Sequence, residues 1–303
     1  MILLLQKILS PDLKPVGTFC LTKFKIGSCQ IAVEKNHEPQ SASSTLAWIL
    51  VLYVFISTLP SQELDAPFTY DHGGIIRGDR SKKEIALVFT GDTFADGGAY
   101  IRQVLARQQV KASFFFTGNF YRHPGFKTLI EGLIADGHYL GAHSDAHLLY
   151  CAWEKRDSLL VTEEQFTADL AANYREMEKF GIAKTAARYF LPPYEWHNDT
   201  ISAWTQAWGL QLVNYTPGTR SHADYTYPEM QARYVPSSKI YESILSYETS
   251  HTEGLNGFIL LSHIGTDPRR TDKFYFMLEE LMQTLRGKGY GFKRIDELLE
   301  SPK

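Results

Sequence analysis

Cysteine is scarce in this chain: three in 303 residues, at Cys20, Cys29 and Cys151. So sparse and odd a set builds no disulfide framework. Only Cys151 falls where the pattern is that of a folded domain, and there the expected role is a small buried hydrophobe, with a thiolate ligand as the alternative. Runs of Lys or Arg are missing as well, and the formal net charge is -3 with a pI near 6.4. Nothing in that balance calls for nucleic acid or a basic membrane-binding surface. Long uncharged apolar runs are almost absent too. The one example, LAWILVLYVFISTL at residues 46–59, is shorter than the roughly 20 residues that span a bilayer comfortably. What the chain has in plenty is ordinary core material, with 44% hydrophobic and 21% charged residues, enough for one large domain or two modest ones. Its aromatic content of 13% suits a deep core and would equally suit a groove for flat, ring-shaped ligands.

Residues 1–45 show no sustained period and carry Pro11, Pro15 and Pro39, so a poorly structured N-terminal extension is expected there. Residues 46–60 have the length of an export-signal core. No Lys or Arg lies in the ten residues before the run, and no Met lies between Met1 and it. An upstream extension before a native start, or an uncleaved membrane anchor, would each account for that, and a buried core helix is the structural alternative. Residues 61–84 read as a polar linker rich in Pro, Asp and Gly. The protein is thus expected outside the cytoplasm, whether periplasmic, secreted or anchored, touching a membrane only through this N-terminal segment.

From residue 85 the periodicity becomes that of an α/β domain, expected to run over residues 85–303. Strands are expected at 85–89, 111–116, 139–142, 187–191, 210–214, 257–261 and 291–294. Helices are expected between them at 99–109, 126–136, 163–180, 199–208, 240–249 and 273–286. Such alternation implies a parallel sheet with crossover helices, whose sites form at the C-terminal strand edge. The polar residues collected at that edge are Asp92 and Asp96 after the first strand, His143 and His147 after the third, Glu195 and His197 past Pro192-Pro193, and His263 after a late strand. Were residues 143–147 a helical turn, the two rings at i and i+4 would share a face and suffice for two ligands of a divalent metal.

Over residues 85–299 these motifs resemble the polysaccharide deacetylase family, the NodB homology domain of carbohydrate esterase family 4. Val88-Phe89-Thr90-Gly91-Asp92, running into Phe94-Ala95-Asp96-Gly97, corresponds to its Thr-Phe-Asp-Asp-Gly motif. His143-Ser144-Asp145-Ala146-His147 matches its His-Ser/Thr-x-x-His motif in full, Leu191-Pro192-Pro193-Tyr194 stands for Arg-Pro-Pro-Tyr, and Leu261-Ser262-His263 for Leu-x-His. The first and third motifs depart. In the family the first Asp of the pair is the base, the second a metal ligand, and the Arg pairs with the base. Here Leu191 replaces the Arg, and Asp92 and Asp96 stand four residues apart.

The resemblance implies a distorted (β/α) barrel with its site at the C-terminal ends of the strands. It implies a divalent metal, zinc first, with cobalt, nickel or manganese as alternatives, since imidazole and carboxylate discriminate weakly. The expected ligands are Asp96, His143 and His147. Asp92 is the expected base, Glu195 a third candidate carboxylate, the Tyr194 amide an oxyanion donor, and His263 the acid, with Asp224 orienting it. The implied activity is removal of N- or O-linked acetyl groups from a glycan. The alternatives are a metal-retaining, carbohydrate-binding protein with little turnover, and hydrolysis of a non-sugar C-N bond.

Overall fold

The structure is a computed structural model, and it describes residues 68–300. The extension at residues 1–45 and the apolar segment at 46–60 lie outside the described residues. Among the described residues, nine strands form one curled sheet. They are β1 (Thr69–Asp71), β2 (Gly74–Arg77), β3 (Glu84–Gly91), β4 (Ser113–Phe116), β5 (Tyr139–Ala142), β6 (Tyr189–Phe190), β7 (Gln211–Leu212), β8 (Phe258–His263) and β9 (Gly291–Lys293). Their order is β1-β2-β8-β3-β4-β5-β6-β7, with β9 beside β3. From β8 to β7 every pairing is parallel. An isolated bridge from Ile75 to Val213 ties β2 to the residue after β7, and the curled sheet becomes a distorted barrel.

The helices are α1 (Gly98–Arg107), α2 (Gly118–Arg122), α3 (Lys127–Ala135), α4 (Glu163–Glu178), α5 (Asp199–Ala207), α6 (Ser237–Ser250), α7 (Leu278–Gly287) and α8 (Ile295–Leu298). Helix α1 buries Ile101, Val104 and Leu105, the i, i+3, i+4 stripe that its sequence carries. Helix α4 starts at a capping box in which Thr162 and Gln165 satisfy each other's backbone amides.

The alternation along each strand sorts its side chains into two layers. On β3, Ile85, Leu87 and Phe89 pack outward beneath the helices, whereas Ala86 and Val88 fill the barrel interior with Phe115, Leu191, Ile259 and Leu261. The same period places the next inward positions, Thr90, His143 and His263, at the C-terminal rim.

The stretch read as a linker contains two strands. β1 and β2 pair antiparallel across His72 and Gly73, both with positive φ (42° and 73°), which is the backbone of a tight hairpin. β2 joins the barrel where Arg77 pairs with Phe258, and the Arg77 side chain donates to the carbonyls of Gly254 and Asn256, each at 2.8 Å. Strands of three and four residues are too short to show a period.

Candidate active site

The segment from His143 to His147 is irregular chain, not the helical turn that the spacing suggests. Ser144 and His147 have positive φ (71° and 55°), and the two rings meet with centroids 5.2 Å apart. Helix α4 shapes this loop. Asp169 accepts from the amides of Asp145 and Ala146 at 3.2 and 3.0 Å and from the Tyr150 hydroxyl at 2.9 Å. One turn on, Asn173 accepts from the His143 amide at 2.9 Å and donates to the Phe116 carbonyl at 3.2 Å. Neither residue was singled out by sequence. Their signal was two amide- or carboxylate-bearing side chains at i and i+4 on the buried face of a helix.

His143 is fixed from its other side. Its Nδ1 lies 2.8 Å from the Leu191 carbonyl oxygen, so the ring donates there and leaves Nε2 turned toward the rim. Burial, the neighbouring His147 and His263, and a weaker upward pull from the Leu191 bond and Asp92 set the balance, and its pKa falls to about 3. His147 is lowered as well, by burial first, with Asp92 opposing. Both rings are therefore neutral at physiological pH and have the form in which imidazole binds metals.

The carboxylate whose charge acts on both rings is that of Asp92. Its Oδ1 accepts from the Thr117 hydroxyl at 2.8 Å and its Oδ2 from the Thr93 hydroxyl at 2.8 Å. Thr117 also caps α2 by accepting from the Phe120 amide. Asp96 points elsewhere. Its oxygens accept from the Thr266 amide at 2.8 Å and the Tyr275 hydroxyl at 3.0 Å, and Lys273 Nζ lies 2.8 Å away. With all its partners in residues 266–275, Asp96 pins the loop after β3 to the segment after β8.

Taken position by position, the match to Thr-Phe-Asp-Asp-Gly sets Thr90 and Gly91 where the family has its Asp pair. Thr90 is buried, opposite His263 in the β3-β8 register, and its hydroxyl has no hydrogen-bond partner among the described residues. Gly91 has no room for a side chain, because a Cβ there would sit 2.8 Å from Ile264 and 3.0 Å from Phe116 and Phe120. Leu191 lies in the interior core. Arg188, three residues before Leu191, is exposed and lines a separate cavity with Tyr189 and Arg294.

His263 and Asp224 form a close couple. Asp224 accepts from the ring Nδ1 at 2.6 Å and from the His263 amide at 2.9 Å, and Asp224 itself is buried. Burial opposes charge on the ring, but the charge and hydrogen bond of Asp224, aided by Glu195, outweigh it and the pKa is raised. Glu195 follows Tyr194 in a turn where both have positive φ (53° and 59°). Burial lifts its carboxyl, His263 pulls it down and Asp224 pushes it up, to about 7. Four of the seven non-glycine residues with positive φ among the described residues, Ser144, His147, Tyr194 and Glu195, thus gather at one rim. His197, also expected at the rim, is buried behind it between the Asp71 carbonyl and Asn214. Cys151 is free and buried, and burial raises its thiol pKa, as for an inert core thiol.

Among the described residues, no group of three His, Cys, Asp or Glu side chains is placed to hold a metal ion. The chemistry of the donor set nevertheless fits a divalent cation: two neutral imidazoles, one with its tautomer fixed by a backbone carbonyl, and the Asp92 carboxylate beside them.

Comparison with known proteins agrees with the fold. Residues 77–213 match the family model for polysaccharide deacetylase. An uncharacterized 30.6 kDa protein of Geobacillus stearothermophilus is 24% identical over 229 residues, covering 75% of each chain. Among solved structures, a family 4 carbohydrate esterase pseudoenzyme from Bacillus anthracis superposes with a TM-score of 0.58 at 15% identity, over 76% of this chain and 70% of that one. A family 4 acetyl xylan esterase from Clostridium thermocellum, in complex with a cobalt ion, gives 0.54 at 19% identity, over 71% of this chain and 89% of that one.

Proposed function

Because the chain belongs to the polysaccharide deacetylase family through residues 77–213, we propose that it is a metal-dependent hydrolase that removes acetyl groups from a glycan. The observation that carries this is the meeting of His143 and His147 on one rim with Asp92 and the Asp224-His263 couple. We assign the metal to His143, His147 and Asp92, in place of the expected Asp96, whose oxygens are taken by Thr266, Tyr275 and Lys273. A divalent cation bound there supplies Lewis acidity toward a carbonyl oxygen and a water.

The remaining steps fall to the chain's own residues. With Asp92 used as a ligand, Glu195 is the base: a carboxyl with a pKa of about 7 takes a proton well near neutrality. It accepts the proton of a water as the water oxygen bonds to the acetyl carbon. The backbone amide of Tyr194, in the turn after Pro192-Pro193, faces the oxyanion. As the carbon-nitrogen or carbon-oxygen bond breaks, His263 gives its Nε2 proton to the leaving amine or alcohol, and Asp224 on Nδ1 holds the ring and steadies its charge. The products are acetate and the free sugar amine or alcohol. Export through the residue 46–59 run fits a substrate outside the cytoplasm.

A second reading is a metal-retaining glycan-binding protein with little turnover. Thr90 and Leu191, in the places of the family's base and its Arg, favour it. Acetate release from acetylated chitooligosaccharides and xylan with added zinc or cobalt, compared between the wild type and His143→Ala, separates the two. The hydrolase gives release that His143→Ala loses; no release from either protein, with glycan binding retained, leaves the second reading.

A further inference from the structure

A wall of aromatic rings starts at the metal-binding histidines and runs outward over the surface. The Tyr194 ring stands against His147 at a centroid distance of 4.4 Å, and Trp153 meets Tyr194 edge-on at 5.8 Å and 81°. Trp153 in turn stacks on Trp196 at 5.6 Å and 28°. Trp153 is 53% exposed and Tyr194 44%. An exposed indole whose position is fixed on two sides is an unusual use of the largest apolar side chain.

The fixing is extensive. Trp196 donates its indole N–H to the Ala152 carbonyl, and the Arg156 guanidinium lies over its ring at 4.4 Å. Arg156 is itself anchored to the His197 carbonyl and, at 2.9 Å, to Asp71. The loop bearing Trp153 is closed by hydrogen bonds from the Ala152 amide to Ser158 and from the Leu160 amide to Tyr150, at 2.9 and 2.8 Å. Trp153 is therefore presented in place before any ligand arrives, which lowers the ordering cost of binding.

We propose that Trp153, backed by Trp196 and continuous with Tyr194, is a stacking platform for a pyranose ring of the substrate next to the one whose acetyl group reaches the site. The inference rests on the glycan reading above and makes it narrower: the substrate is an oligomer or polymer, gripped beyond the reacting residue. A pyranose suits this place because its axial C–H face is flat and apolar while its equatorial hydroxyls point outward. Here Glu154, Lys155 and Asp157, exposed around the indole, provide polar partners for such a rim.

Isothermal titration calorimetry of the full chain, in a His143→Ala background so that the ligand is not consumed, tests it with the N-acetylglucosamine tetramer and monomer. Trp153→Ala is expected to weaken tetramer binding at least tenfold and leave monomer binding unchanged, while Trp153→Phe keeps the tetramer within about threefold. Because Trp153 is mostly exposed, its truncation leaves the fold intact. Tetramer binding equal with and without Trp153 would overturn the platform and leave the glycan reading standing. No binding of either sugar, nor of acetylated xylan, by the protein with Trp153 intact would overturn both.

Discussion

At the scale of single residues, function collects where the backbone and the ionisable groups are least comfortable. Glu195 has positive φ and a carboxyl whose pKa is lifted by burial from an ordinary 4.5 to about 7. A carboxyl raised on folding stabilises the protonated native state, so its ionisation costs stability as pH climbs from the unfolded value through the folded one. Glu195→Gln removes that cost. The variant should gain on the wild type between about pH 4.5 and 7 and hold a constant advantage above, on the order of 3 kcal/mol. Urea denaturation at pH 5 and pH 8 reads it, paired with the loss of acetate release expected of a missing base. A stability difference that does not change with pH would show that Glu195 is not a strained carboxylate. His143, His147 and His263 were plain in the sequence because their motifs are local. The choice among Asp92, Asp96 and Glu195 was not. Which carboxylate faces the rings is decided by Thr117, Thr93, Thr266 and Lys273, partners as much as 177 residues away.

At the scale of elements, the periodic parts of the chain were legible and the short ones were not. Strand β5 spans the residues expected of it, and α4 begins where expected, at Glu163, because Tyr139–Ala142 is a continuous apolar run and Thr162 with Gln165 marks a cap. Strands β6 and β7 shrink to two residues each. Helix α2 was missed: five residues are too few to display a face, and it is held by Thr117 and by Arg122 paired with Asp145 at 2.5 Å. Helix α4 has a second task beyond covering the sheet. Asn173→Ala removes one acceptor of the buried His143 amide, which keeps the Phe116 carbonyl at 3.2 Å, and one donor to that carbonyl, and should cost about 1 to 2 kcal/mol. An alanine at exposed Glu164 on the same helix should stay within about 0.5 kcal/mol. Urea midpoints of the two variants check the contrast, and equal costs would mean that α4 does not support the loop.

At the scale of the molecule, the alternation of side chains between the barrel interior and the helix layer brings the site together. Thr90, His143 and His263 share the inward parity and reach the same rim from β3, β5 and β8. The fold class was readable because that alternation is written along whole strands. The closure of the barrel by β1 and β2 was hidden, since it depends on an Arg77 locked to carbonyls almost 180 residues on. No helix among the described residues is long and apolar enough to cross a membrane. Of the family's two motif departures, Gly91 is enforced by packing against Ile264, Phe116 and Phe120, so a carboxylate ligand on β3 must come from the loop beyond it. Zinc titration of the metal-stripped protein, followed by calorimetry for the wild type, His143→Ala, Asp92→Asn and Asp96→Asn, tests that account most directly. One high-affinity site in the wild type, weakened at least about tenfold in His143→Ala and Asp92→Asn and retained in Asp96→Asn, is the predicted result. Loss of zinc from Asp96→Asn with full binding by Asp92→Asn would contradict it.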